Sequence, residues 1–250
     1  MKEIKPGRQL LMLLAISACC IFLGSALGQI ILLAYYSENI PPIGEIKPML
    51  VLAYYGVVHV FAHVVVFFTF LRVTKMKWID LFPVKKVGWI FPLALPFIAL
   101  AGLLVVGYLS ELSLRFFEAQ GYYDILHQKD LQTAEMLPLI VHNNPAQLVL
   151  SLFVMAVLPA VGEELIYRGI LQTRIHKTTG NLHFSVIITA VIFSAMHFQP
   201  VDLIAIAFMG IVLGYVFVYS GSIWMSVALH FIFNAWQIVV AYTNPEIFTE

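Results

Sequence analysis

The sequence predicts an all-α protein, a polytopic transmembrane helix bundle of about seven spans whose last four helices form a C-terminal core. Three observations predict it. First, 61% of the 250 residues are apolar and only 11% are charged, against about 45–50% and about 25% in a soluble domain. Second, the apolar residues fall in runs long enough to cross a bilayer, which takes about 20 residues. Third, the cations are unevenly placed along the chain. Together with a mean hydropathy of +0.90, these features exclude a disordered chain, a coiled coil and a soluble nucleic-acid binder. The 14 Lys+Arg balance the 14 Asp+Glu, so net charge is uninformative and distribution carries the signal.

The runs lie at about 9–36, 48–71, 87–110, 146–173, 182–198, 200–219 and 222–243. In lipid the backbone must satisfy its own hydrogen bonds, which makes each run a helix. Barrel strands alternate over about ten residues, and these runs do not. The first run is too long for a cleavable signal peptide. It holds Cys19 and Cys20, which are expected to be small core residues. Neighbours cannot staple distant elements, and no zinc-type cysteine spacing is present. Ile16-Ser17-Ala18-Cys19 is like a lipoprotein cleavage box, but the chain stays apolar through Tyr36 where a lipoprotein turns polar. The polar connection 111–145 contains Gly121, Asp124, Asp130, Asn143, Asn144 and Pro145. It is expected to divide a three-span region, 1–110, from a four-helix region, 146–243, with a short tail at 244–250. Gly210 and Gly214 form a GxxxG in the sixth run, a pattern for close helix packing.

Orientation follows from the cations. Lys2, Lys5, Arg8, Arg72, Lys75, Lys77, Lys85, Lys86, Arg174 and Lys177 fall on one side of the predicted bundle. Lys47, Arg115 and Lys129 fall on the other, and Arg168 lies within a span. The N-terminus is therefore expected inside and the C-terminus outside. The bacterial cytoplasmic membrane is the expected location, with the 111–145 connection extracytoplasmic.

Ionisable residues within spans cost about 2.5–3.5 kcal/mol each on insertion scales and are functional candidates by default. The fourth run contains Gly162-Glu163-Glu164-Leu165-Ile166-Tyr167-Arg168-Gly169. Glu164 and Arg168 are i,i+4 neighbours in the favourable order for a helical ion pair. Glu163 is rotated about 100° from Glu164 and is left to face something else. The fifth run carries Phe193…His197, and the seventh carries His230 and Asn234 on one helix face. At 1.5 Å per residue, Glu163 and His197 lie roughly 22–24 Å from the turn near Gly180. Asn234 and His230 lie roughly 20 and 14 Å from the turn at Gly221. Three segments thus bring Glu, His, His and Asn to similar depth. His59 and His63 in the second run are also i,i+4, a spacing that can chelate a metal. They lack the adjoining Glu of a HExxH helix and read as a packing or water-facing pair. His127, His142, His176 and His183 fall in connections or at span ends and receive no role.

These motifs resemble the CPBP family, the Abi or CAAX-protease-like intramembrane endopeptidases. The family pattern EExxxR, FxxxH and HxxxN reads here as Glu163-Glu164…Arg168, Phe193…His197 and His230…Asn234. Gly169 and the turn Tyr219-Ser220-Gly221-Ser222 are also similar, and the resemblance covers about residues 145–240. It implies a glutamate-dependent intramembrane endopeptidase with no cofactor and no obligatory metal. It further implies that Glu163 and His197 activate a water, that His230 and Asn234 hold the oxyanion, and that Glu164 and Arg168 brace the helix. The expected partners are the lipid bilayer and a membrane-embedded or lipid-anchored peptide or protein substrate, with no nucleic acid. Three other readings use the same residues. They are a non-proteolytic membrane binding or immunity partner, a proton relay or transporter, and a zinc protease built on His59/His63 or His197/His230. No inverted repeat supports a transporter.

Overall fold

The computed structural model describes residues 4–81, 87–122, 140–141 and 145–248. These residues build seven long helices and no strand. They are α1 Pro6–Tyr36, α2 Pro48–Thr74, α3 Ile90–Ala119, α4 Pro145–Thr179, α5 Leu182–Ala195, α6 Leu203–Ser220 and α7 Ile223–Thr243. All but α5 are long and apolar enough to span a bilayer, which makes the chain an integral membrane protein.

The bundle is polar inside and apolar outside. Leu11, Phe22, Leu93, Phe97 and Leu104 point outward, while Glu164, Arg168, Ser226 and His230 are buried. Of the 18-residue apolar window in each helix, 50% is buried in α4 but only 17% in α1 and in α3. α4 is therefore the central helix, and α1 and α3 are staves facing lipid. Its C-terminal half packs with α1 and α2 through Leu13, Phe67, Phe70 and Ile170. Its N-terminal half packs with α2 and α7 through Leu52, Val154 and Ile238. α3, α6 and α7 share a third cluster around Leu213, Leu229 and Phe233.

The α5–α6 contact uses the GxxxG. A Cβ on Gly210 would lie 2.9 Å from the Ala190 Cβ, and one on Gly214 would lie 2.9 Å from Val186. These glycines let the two backbones approach closely. α5 begins cleanly, with Asn181 Oδ1 accepting the Phe184 N–H at 3.0 Å.

Three boundaries depart from the apolar runs. α3 continues to Ala119, well past the end of its run near residue 110. The extension is polar but held: Arg115 Nε donates to Glu111 Oε1 at 2.8 Å and Ser110 Oγ donates to Asp202 Oδ1 at 2.6 Å. α5 stops at Ala195, so His197 stands in the turn after the helix rather than within a span. Gln199-Pro200 follows, and a residue preceding proline is driven out of the α region. Cys19 faces outward and only Cys20 is buried, because adjacent helix positions are about 100° apart.

α2 and α4 are not uniform α-helices. π-helical turns occupy Val60–Val65, Phe153–Val157 and Leu165–Gln172. The second has a local cause. Pro159 lacks an N–H and its ring crowds the carbonyl four residues back, at Met155. A wider turn there relieves the crowding. Of the other two, one follows His59 and contains His63 and the other begins directly after Glu164, and such turns recur at functional sites.

Candidate active site

Glu163 and Glu164 end the short α-helical stretch Leu158–Glu164 of α4. Both are buried, yet their surroundings differ completely. Glu164 Oε1 accepts from Arg168 Nη1 at 2.6 Å and from His230 Nδ1 at 2.9 Å. Glu164 Oε2 accepts from Ser226 Oγ. With three donors around it, this carboxylate is fully committed. Arg168 is equally fixed, because Nη2 donates to the Gly210 carbonyl at 3.0 Å and the guanidinium lies 4.9 Å from the centre of the Phe193 ring. Gly210, kept bare for α5, thereby also exposes its carbonyl to Arg168.

Glu163 has no such partner. Its Oε2 has no hydrogen bond among the described residues. His230 Nε2 stands 3.9 Å from Oε2 and His63 Nε2 stands 4.0 Å from Oε1. Both separations exceed a hydrogen bond, and both fit one bridging water. His230 therefore spans the pair of carboxylates, with Nδ1 on Glu164 and Nε2 toward Glu163. A carboxylate only accepts, so Nδ1 carries the hydrogen and Nε2 bears the lone pair in the neutral ring.

α7 supplies one face at four-residue spacing: Ser226, His230 and Asn234. Asn234 is half-buried, and its amide makes no hydrogen bond to a described residue. His197 is exposed at the rim. Its Nδ1 donates to the Phe193 carbonyl at 2.8 Å, which leaves Nε2 unprotonated in the neutral ring. The Phe193 ring lies edge-on to both imidazoles, with centroids 4.7 Å from His197 and 5.8 Å from His230. His197 is thus one aromatic ring away from His230 and makes no ion pair with Glu163.

α2 adds what spacing alone did not place. His59 and His63 stack with centroids 5.5 Å apart and an interplanar angle of 21°, as a packing pair should. They also lie against Glu163: one ligand-type atom from each of the three residues falls within 4.8 Å of the others. The approach is tight, because the His63 Cβ occupies the space a side chain on Gly162 would need. No i,i+4 rule connects residue 63 with residue 163. The available signal was an ionisable pair in a span at compatible depth.

A site of carboxylates and imidazoles enclosed by apolar helices defines a class of polytopic membrane protein with a buried acid–base centre. Residues 145–236 match the family model for the Rce1-like type II CAAX prenyl endopeptidases. The match runs from the start of α4 into α7 and covers the segment that carries Glu163-Glu164…Arg168, Phe193…His197 and His230…Asn234, so this part of the chain is similar to the CAAX-protease-type endopeptidases. No curated protein and no solved structure matches the chain.

Proposed function

We propose that this protein hydrolyses a peptide bond of a membrane-embedded or lipid-anchored substrate with a water activated by Glu163. The supporting observation is the contrast between neighbouring carboxylates: Glu164 accepts three hydrogen bonds, while Glu163 Oε2 accepts none. A base must be unoccupied until the water arrives. In this reading the water oxygen bonds to the scissile carbonyl carbon and its proton passes to Glu163. His230 and Asn234 donate to the resulting oxyanion. The Nε2–H form of His230 that this requires is the imidazolium, with Glu164 on Nδ1 as its counter-ion. When the C–N bond breaks, the oxyanion re-forms the carbonyl and Glu163 returns the proton to the leaving amine. An apolar cleft of about 320 Å³ between α4 and α7, lined by Val157, Ala160, Val161, Trp224 and Phe231, lies one turn from Glu163. It suits the hydrocarbon part of a lipid-anchored substrate.

The direct test is cleavage of lipid-anchored peptides by the purified chain in ¹⁸O-labelled water, read by mass spectrometry. The new carboxyl group is expected to carry one labelled oxygen. Unlabelled product would exclude attack by water, and intact peptides that stay bound would favour the non-proteolytic partner. Asn234→Ala is expected to lower kcat about 10²–10³-fold, as for loss of one oxyanion donor, with KM little changed. Loss confined to KM would make Asn234 a binding residue.

We also propose that the N-terminus is cytoplasmic and the C-terminus outside. α5 has 14 residues, about 21 Å, which is short of the bilayer's about 30 Å hydrocarbon core. The outcome is insensitive to this, because the α5–α6 hairpin adds either two crossings or none. A reporter fused after Glu250 is expected to read out as extracytoplasmic, and cytoplasmic activity would overturn the topology.

A further inference from the structure

The His59–His63 pair is not used by the mechanism above, yet it is packed against the mechanism's central carboxylate. We propose that His59, His63 and Glu163 form a site for one transition-metal dication of the zinc class, and that the bound ion blocks hydrolysis by taking Glu163. The ion-binding part stands on the geometry alone. The inhibitory part rests on the reading of Glu163 as the base.

Three observations carry the site. One ligand atom from each residue lies within 4.8 Å of the others. The Glu163 side chain is 10% exposed and its Oε2 has no hydrogen bond among the described residues. His59 Nδ1 is likewise buried without one. Buried polar groups are normally satisfied, so a convergent set left unsatisfied points to a ligand. The donor chemistry selects the ion. Two imidazoles and one carboxylate suit zinc and its neighbours, whereas magnesium and calcium require oxygen shells. Bonds of about 2.0–2.2 Å place tetrahedral ligands about 3.3 Å apart. The three side chains must close by about 1.5 Å at most, within reach of small side-chain rotations. A fourth coordination position remains for water. An ion bound here occupies the carboxylate that must accept the water's proton, so it inhibits.

The alternative consequence, a catalytic zinc, predicts the opposite dependence. In the inhibitory reading a strong chelator leaves hydrolysis intact or raises it, and added Zn²⁺ lowers it. Activity that requires Zn²⁺ would overturn inhibition and favour the metalloprotease.

The site itself is tested by metal binding, without any substrate. The full chain in detergent, first stripped by chelator, is titrated with Zn²⁺ by calorimetry and with Co²⁺ by visible absorption. One equivalent is expected, with the intense bands of four- or five-coordinate Co²⁺ in the wild type. His59→Ala and His63→Ala are each expected to weaken binding by more than the about 10–100-fold that an outer-shell change costs. His183→Ala, on an exposed residue bonded to Tyr215, is expected to bind as the wild type does. If the alanine variants fold poorly, His59→Phe keeps a stacked ring without a ligand atom, and the wild-type Co²⁺ spectrum needs no variant. Absence of binding, weakly absorbing octahedral Co²⁺, or undiminished binding in the α2 variants would overturn the site and leave the proposed peptidase untouched. Conversely, stoichiometric binding beside a fully active Glu163→Gln would sink the peptidase mechanism and leave the site.

Discussion

Glu163→Gln is expected to remove peptidase activity to the detection floor. A general base is commonly worth about 10²–10⁴-fold, and in the proposed mechanism the same group also receives and returns the proton. The substitution preserves shape, so the packing of α2 on α4 is kept. Stability is expected to be unchanged or slightly higher, because a buried carboxylate with an unpartnered oxygen costs more than a neutral amide. Glu164→Gln should behave oppositely. It disturbs three hydrogen bonds at once and should lower stability. The measurement is cleavage by matched amounts of each variant beside its melting curve in detergent. Full activity of Glu163→Gln would move the non-proteolytic partner into first place. Full activity of Glu164→Gln would show that its charge is not needed on His230 Nδ1 and would overturn the imidazolium as oxyanion donor.

Arg168→Ala is expected to destabilise the fold by about 3–5 kcal/mol, the usual loss when one partner of a buried ion pair is removed. Both side chains are 0% exposed, so the remaining carboxylate is left without its counter-ion away from bulk solvent. The effect extends beyond Glu164. The Gly210 carbonyl loses its donor and the Phe193 ring loses the cation over its face. Expression level and thermal stability should both fall. Arg168→Lys should recover only part, because an ammonium lacks the fork that reaches Glu164 and Gly210 together. A variant made at normal level and stability but inactive would place Arg168 in the chemistry instead.

Much of this arrangement was legible in the sequence because lipid simplifies the problem. Long apolar runs have one secondary structure available to them, so the helices could be read from composition. The Glu164–Arg168 pair was legible because both partners sit on one helix. Depth was also legible, since rise per residue converts position into height. Azimuth between helices was not. The sequence put Glu163 level with His230 and His197, but only the packed bundle shows His63 and His230 within 4.0 Å of it and His197 displaced behind Phe193. The end of α5 was hidden for another reason. Hydropathy continues through Phe198, while the helix ends three residues earlier. The polar end of α3 was hidden because its support, Asp202, comes from a distant part of the chain.

The widened turn at Phe153–Val157 bears on how such a chain tolerates insertions and deletions. A π turn holds one residue more than the α-helix on either side of it needs. Losing a residue there returns the turn to α geometry and keeps the two flanks in phase, so Glu163 still faces α2, at the cost of restoring the crowding by Pro159. Losing one between Leu158 and Gly162 has no slack to draw on. It turns the following residues by about 100°, enough to carry each carboxylate out of the surroundings that distinguish it from its neighbour. Upstream of the Glu pair, α4 can therefore change length at one place without exchanging the roles of two adjacent, chemically identical side chains.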